Sequence, residues 1–367
     1  MDFKRKTAFV LAVGLLLGSF GVLADNRETG SITRLVPVDG FVNTEATEYG
    51  ETYSISEINM SRYRATLEKT HVDSARQNRE VLLSVGFSES DLEMMGQEEI
   101  NLIVDEAAGI SVSTEYYKVD DNGELILMKK EDCLREAEAV RQEEWDRILN
   151  DSVTPLSSTT NNNVNVSTSS DGYMKITTSA TYISPGSASG AKGWYYMQGA
   201  FEWLTMPGDR KIDAVSLYAQ DCAWSVNDGD YYSTFYHTAE TATGGIHEFT
   251  TQKTSSQGEM KPEGIFFTWQ LPISTYVASP TGATFIVRSM KAYIRGKARV
   301  REYSSSRSFN LFSKYEHLKT SVSVNTDFTW STSGWPGVSV TANLSNKCIS
   351  YYAACLVDYN PNRGIYK

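Results

Sequence analysis

The segment from Thr284 to Glu302, TFIVRSMKAYIRGKARVRE, constrains the fold of this chain more than any other. From Met290 onward it alternates. Met290, Ala292, Ile294, Gly296, Ala298 and Val300 fall on one face, and Lys291, Tyr293, Arg295, Lys297, Arg299 and Arg301 on the other. A period of two over this length is a half-buried β-strand, apolar on one side and basic on the other. At about 3.3 Å per residue the run would extend ~63 Å, beyond the usual length of a strand. A bend or bulge is therefore expected, with Arg288 and Gly296 as its points.

An apolar strand face needs other strands to cover it, and the sequence after Gly172 supplies them. YMKITTSATYI, GWYYMQGAFEWLT, IDAVSLYAQ, GIFFTWQL, HLKTSVSVNTDFTW and GVSVTANL are β-branched or aromatic runs bounded by Gly, Pro, Asn, Asp and Ser. With no helical pattern between them, they predict an antiparallel, jelly-roll-like β-sandwich over residues 172–345. Residues 53–150 differ in character. HVDSARQNREVLLSVG reads as a helix capped by Asp73 and stopped at Gly86. Ser88-Glu-Ser-Asp91 opens a short second helix that Gly96 punctuates, and Gln97–Ala108 gives a further helix ended by Gly109. TEYYKV and ELILMKK, joined through Asn122-Gly123, form a hairpin signal. An acidic helix follows from Glu131, with Leu134, Ala137, Val140, Trp145 and Ile148 as its apolar stripe. The expected class is thus α+β and multidomain: a small, acidic, mostly helical N-terminal region with one hairpin, then the sandwich. Residues 25–52 read as an extended leader, 151–171 as a Ser/Thr/Asn-rich linker and 346–367 as a tail.

The charge is divided in the same way. Residues 25–150 hold 28 acidic and 13 basic side chains, a balance of −15, whereas residues 151–367 balance at +2. That distribution excludes a general nucleic-acid binder, whose affinity rests on net positive charge. At the N-terminus a basic Met1–Lys6 precedes the apolar run TAFVLAVGLLLGSFGVLA. This is the pattern of a secretory signal peptide over residues 1–24, cleaved near Ala24, with an uncleaved anchor as the lesser alternative. The expectation is an exported bacterial protein with no transmembrane segment once the signal is removed. Export permits disulfides, and Cys348 with Cys355 could close a small loop in the tail.

Motifs for familiar chemistry do not occur: no G-x-S-x-G elbow, no H-E-x-x-H, no phosphate-binding glycine loop. No cofactor and no metal is expected. The acidic clusters at Asn227–Asp230 and Asp120–Glu124 read as turns, and no catalytic residue is assigned. Glycosidase chemistry would require two carboxylates across a cleft, for which Glu202, Asp213, Asp221 and Glu248 are the available groups. His237 and His247 stand ten apart, a distance a hairpin can bridge. For ligand binding the candidates are aromatic: Trp194 and Trp203 in one strand, and Tyr231, Tyr232 and Tyr236 beside Asp228-Gly-Asp230. If exposed they would form a platform for sugar rings; the alternative is that they fill the sandwich core.

The basic comb of Lys291, Arg295, Lys297, Arg299 and Arg301 has three readings. It could hold an external polyanion, it could discourage edge-to-edge sheet pairing, or it could receive the chain's own acidic N-terminal region. The functional expectation is a non-catalytic binding protein at or outside the cell surface, with cell-wall glycan or another surface protein as partner. The alternatives are a polysaccharide hydrolase on a sandwich fold and, from the alternating Ser/Thr of KITTSATYI and TSVSVNTDFTW, a β-pore former.

Overall fold

The computed structural model describes residues 42–48, 51–58, 74–84, 86–120, 125–151, 172–183, 194–208, 210, 212–219, 222–241, 244–262, 264–273, 275–278, 283–301, 308–318, 327–331, 337–341 and 348–358. In chain order the acidic half contains β1 (Val42–Glu48), β2 (Glu51–Ile58), α1 (Ser74–Ser84), α2 (Glu89–Glu106), β3 (Ala107–Val119), β4 (Leu125–Met128) and α3 (Lys130–Asp151). Then come β5 (Tyr173–Ile183), β6 (Trp194–Trp203), β7 (Ile212–Ala219), β8 (Cys222–Trp224), β9 (Tyr231–Thr241) and β10 (Ile246–Thr254). β11 (Glu259–Lys261), β12 (Gly264–Gln270), β13 (Thr275–Ala278) and β14 (Ala283–Val300) follow. The last strands are β15 (Ser308–Leu318), β16 (Asp327–Ser331), β17 (Gly337–Thr341) and β18 (Cys348–Asp358).

Two antiparallel sheets face each other. The larger runs β1-β2-β3-β5-β6-β14-β9-β10, with β4, β8 and β13 attached to its strands, and the smaller runs β11-β12-β7-β15-β18. The fold is an antiparallel β-sandwich preceded by a small helical region. Between the sheets lies the main core. Phe201, Met290 and Ile294 of the larger sheet and Val215, Leu217 and Phe267 of the smaller one are each at most 1% exposed. Burial of a side chain of this kind is worth about 1.5–3 kcal/mol, which makes this layer the principal source of stability.

β14 is an interior strand of the larger sheet, and its alternation holds as expected. Its apolar face, from Met290 to Val300, enters the core. The expected irregularity is present: pairing with β9 shifts register between Val287 and Ser289, which leaves Arg288 as the extra residue of a bulge. Gly296 serves a different purpose. A Cβ there would stand 2.6 Å from both Ile265 Cδ1 and Trp224 Cζ3, so β8 and β12 close over β14 only because none exists.

The acidic half does not stand apart from the sandwich. β3 pairs with β5 from Ala107↔Ile183 to Lys118↔Tyr173, and so carries the sheet across the compositional boundary. Its residues suit a strand covered on both sides: Ile110, Val112 and Tyr116 are buried, as are Ser111, Ser113 and Glu115 between them. The hairpin arms expected around Asn122-Gly123 pair from Tyr116↔Met128 to Val119↔Leu125, while the turn itself lies outside the described residues. In α2 the predicted break falls inside one helix, where Gly96 takes φ 75°. On α3, Cys133 and Ala137 are buried, but Leu134, expected on the same stripe, is 39% exposed.

The expected signal peptide and the linker residues 152–171 lie outside the described residues. β1 and the first residues of β2 fall in the stretch read as extended leader. The expected Cys348–Cys355 bridge is incompatible with the fold. Both residues belong to the single extended strand β18, which separates them by about 23 Å. A disulfide needs Cα atoms within about 7 Å.

Candidate functional site

The outer face of the larger sheet carries the densest set of polar contacts, and α2 lies over it. The helix begins at Ser88, whose backbone N–H and hydroxyl both reach Asp91 Oδ2, at 2.7 and 2.8 Å, in a reciprocal cap. Asp91 is 1% exposed and meets an equally buried cation: Lys175 Nζ of β5 donates to Asp91 Oδ1 at 2.8 Å. Thr177 donates to the other carboxylate oxygen at 3.1 Å. The same ammonium donates to Ser88 Oγ and lies 3.4 Å from Glu202 Oε2 of β6, which also accepts from Ser90. Two buried charges are tolerated here because nearly every polar atom around them has a partner.

Two turns along α2, Glu99 enters a second pocket. Its carboxylate accepts from Gln198 Nε2 of β6 at 3.0 Å and from the Tyr293 hydroxyl of β14 at 2.7 Å. It also accepts from the Tyr232 hydroxyl of β9, and Arg295 Nη1 stands 3.3 Å away. Burial first, and the Glu99 carboxylate second, push both tyrosine hydroxyls well above their ordinary pKa, so they remain protonated donors. Further on, Tyr196 donates to Glu106 at 3.1 Å. Its hydroxyl is pushed up to about 12, by burial and then by that carboxylate.

The basic comb therefore divides along its length. Lys291 lies 3.3 Å from Glu93 of α2 and 3.7 Å from Glu202, and Arg295 is taken by Glu99. Lys297 and Arg299 leave the helix behind and lie over the Trp194 ring, each 5.5 Å from its centroid. Arg301 donates to the Cys222 and Pro262 carbonyls at 2.8 and 2.9 Å.

The aromatic residues proposed as a sugar platform do not form one. Trp203 is 3% exposed between the sheets, and its indole N–H donates to the Tyr315 hydroxyl at 2.9 Å. Tyr231 faces the core and packs at 6.0 Å from Phe267. Tyr232 and Tyr236 are covered by α2, the latter donating to the Met94 carbonyl at 2.6 Å. Trp194 is half-buried beside its two cations, and Tyr232 and Tyr236 are likewise only partly buried. Strand alternation sends these side chains to two faces, and both faces are packed.

Two further arrangements join separate strands, and of these only the approach of His237 to His247 had a signal in the sequence. Asp213 and His317 are cross-strand partners in β7 and β15, with His317 Nδ1 2.9 Å from Asp213 Oδ1. Tyr315 donates to the other oxygen of Asp213. This dyad is enclosed, since neither Asp213 nor His317 is exposed, and His317 Nε2 has no hydrogen-bond partner among the described residues. Of the other carboxylates considered for hydrolysis, Glu202 is held by Lys175, Lys291 and Ser90, Glu248 is exposed on β10, and Asp221 lies outside the described residues.

The second arrangement is a ladder of rings that climbs from the core to the surface. Trp269 stacks on Phe235 at 5.8 Å, and Phe235 lies 6.0 Å from His237. His237 stacks on Phe249 of β10 at 4.7 Å, and Phe249 lies 5.9 Å from Phe285. His247 closes the series 5.2 Å from Phe285 and is exposed. The register that pairs His237 with Phe249 and His247 with Ala239 brings both histidines to one face of the hairpin. Burial holds His237 below its ordinary pKa.

No protein-family model matches the chain, and no curated protein matches it in sequence. Among solved structures, one similar chain belongs to work titled "pH-induced modulation of Streptococcus parasanguinis adhesion by Fap1 fimbriae". It is 11% identical with a TM-score of 0.22, covering 52% of this chain and 84% of that one. Another, from "AvmM Catalyzes Macrocyclization in Alchivemycin A Biosynthesis", is 14% identical with a TM-score of 0.17, covering 47% and 82%. Likeness at this level carries no argument about function.

Proposed function

We propose that this chain is an exported, non-catalytic binding protein that acts at or outside the cell surface through its sandwich. The observation that carries the reading is the ring ladder at the open end of the larger sheet. It runs from buried Trp269 to exposed His247 and ends on β10, whose one strand neighbour among the described residues is β9. Ile246, at the start of that strand, is 69% exposed. Rings anchored in a core and presented at a surface lose little freedom when they bind, so such a patch suits a cell-wall glycan or the surface of another protein. Among the described residues no helix is long and apolar enough to cross a membrane.

The hydrolase reading would draw on Asp213 or Glu202, whose oxygens are already engaged with neighbours inside the fold. The test uses the purified full chain against isolated cell envelopes and insoluble cell-wall glycan. Retention is expected, and it should fall at least fivefold in Phe249→Ala. Release of soluble sugar from the glycan, or dye leakage from liposomes, would overturn the reading in favour of the enzyme or the pore former.

A further inference from the structure

The helical pair formed by α1 and α2 shares an apolar core with β3 and meets the neighbouring strands β5, β6, β9 and β14 mainly through polar contacts. Leu82, Leu92, Ile100, Ile103 and Val104 are almost wholly enclosed in a cluster of their own with Ile110 and Val112 of β3. From β5, β6, β9 and β14 only Ala200 and Tyr293 join that cluster, with Tyr232 and Tyr236 at its margin. What ties the helices to those four strands is a row of acids on α2. Asp91 meets Lys175, Glu93 meets Lys291, and Glu99 enters its pocket of four donors. An apolar unit that closes on one strand, β3, and meets the other four largely through charge differs physically from one that shares its core with all of them.

The Glu99 pocket belongs to the sheet. Gln198, Tyr293, Arg295 and Tyr232 project from β6, β14 and β9, three adjacent strands whose ladders set the donor positions independently of α2. Tyr196 and Tyr232 stack on Arg295 at 4.7 and 5.1 Å, which fixes the guanidinium further. A pre-set cation with three neutral donors is a carboxylate receptor. We propose that this face of the sheet is a binding site for an acidic peptide segment, and that α1–α2 occupies it in cis as a displaceable cover. The ligand would present carboxylates to Lys175, Lys291 and Arg295 as α2 now does. This site is separate from the ring ladder and stands whether or not the ladder binds a glycan.

A fluorescein-labelled peptide with the sequence of Phe87–Glu106 serves as probe, titrated into the full chain at low ionic strength. Amide exchange in residues 74–106 is expected to rise as the peptide saturates. Glu99→Gln, which removes the resident charge, should bind the peptide at least tenfold tighter than the parent chain. Adding Arg295→Gln to that variant should abolish the gain. Unchanged exchange in the parent chain at saturating peptide would overturn the proposal, whatever the variants do. Equal peptide affinity with and without Arg295→Gln would overturn it as well.

Discussion

The two faces of the larger sheet are built from the same strands and solve different problems. The inner face meets the second sheet through methyl groups and rings, which attract any apolar neighbour without regard to orientation. On the outer face the partners are α1 and α2, and the contacts are carboxylates, ammonium and guanidinium groups and tyrosine hydroxyls with defined directions. The inner layer can therefore supply most of the free energy, while the outer layer decides which segment lies where. Such a division is expected when buried charges contribute little net stability but penalise every arrangement that leaves one unpaired.

The comparison can be broken most severely from the inside. Phe201→Ala, which empties a fully enclosed site between the sheets, should destabilise the protein by about 4 kcal/mol. Denaturant unfolding would measure it, and a loss under 1 kcal/mol would mean that the sheets are not tightly packed. On the outer face the informative result is a pair. Lys175→Met leaves Asp91 buried without its cation and should cost about 3 kcal/mol, whereas the Asp91→Asn/Lys175→Met double variant should recover at least half of that. Additive losses would show that the two charges act independently.

The smallest effect lies at the ring ladder and appears only with acid. His237 is held neutral by burial, so the unfolded chain takes up its proton first as pH falls. The associated stability is complete above the ordinary histidine value of about 6.5 and is lost as pH drops through that value towards the lowered one. Denaturation midpoints measured from pH 7.5 to 5 should decline, and His237→Phe should flatten the decline while keeping the ring stack. An unchanged slope in that variant would assign the acid sensitivity to other groups.

Much of this architecture was legible from short-range pattern. The alternation of β14, its irregularity at Arg288, the interruption at Gly96 and the hairpin arms around Asn122-Gly123 each depend on a few neighbouring residues. The contacts between the basic comb and α2 were foreshadowed by the charge imbalance of the two halves. What stayed hidden depends on register between distant strands. Asp213 and His317 face each other only because β7 and β15 align at that pair. The aromatic residues read as a platform are taken up because both faces of the sheet are packed, Trp203 and Tyr231 in the inter-sheet core and Tyr232 and Tyr236 under α2, and no period in GWYYMQGAFEWLT reports that. β3 was similarly hidden, since TEYYKV has the texture of a strand but does not name its neighbour.

The position of β14 between β6 and β9 also bears on how the chain comes into being. β6 and β9 both take β14 as a neighbour, and β14 is made well after either of them. Until residues beyond Val300 have emerged, both earlier strands present open edges bearing Trp194, Tyr195 and Tyr196 or Tyr231 and Tyr232. Waiting edges of that kind favour wrong partners, and pairings so remote in sequence form slowly. Assembly of the sheet is thus expected to be gated by the arrival of a single late segment, and truncation before Arg299 should yield an aggregating product rather than a smaller folded one.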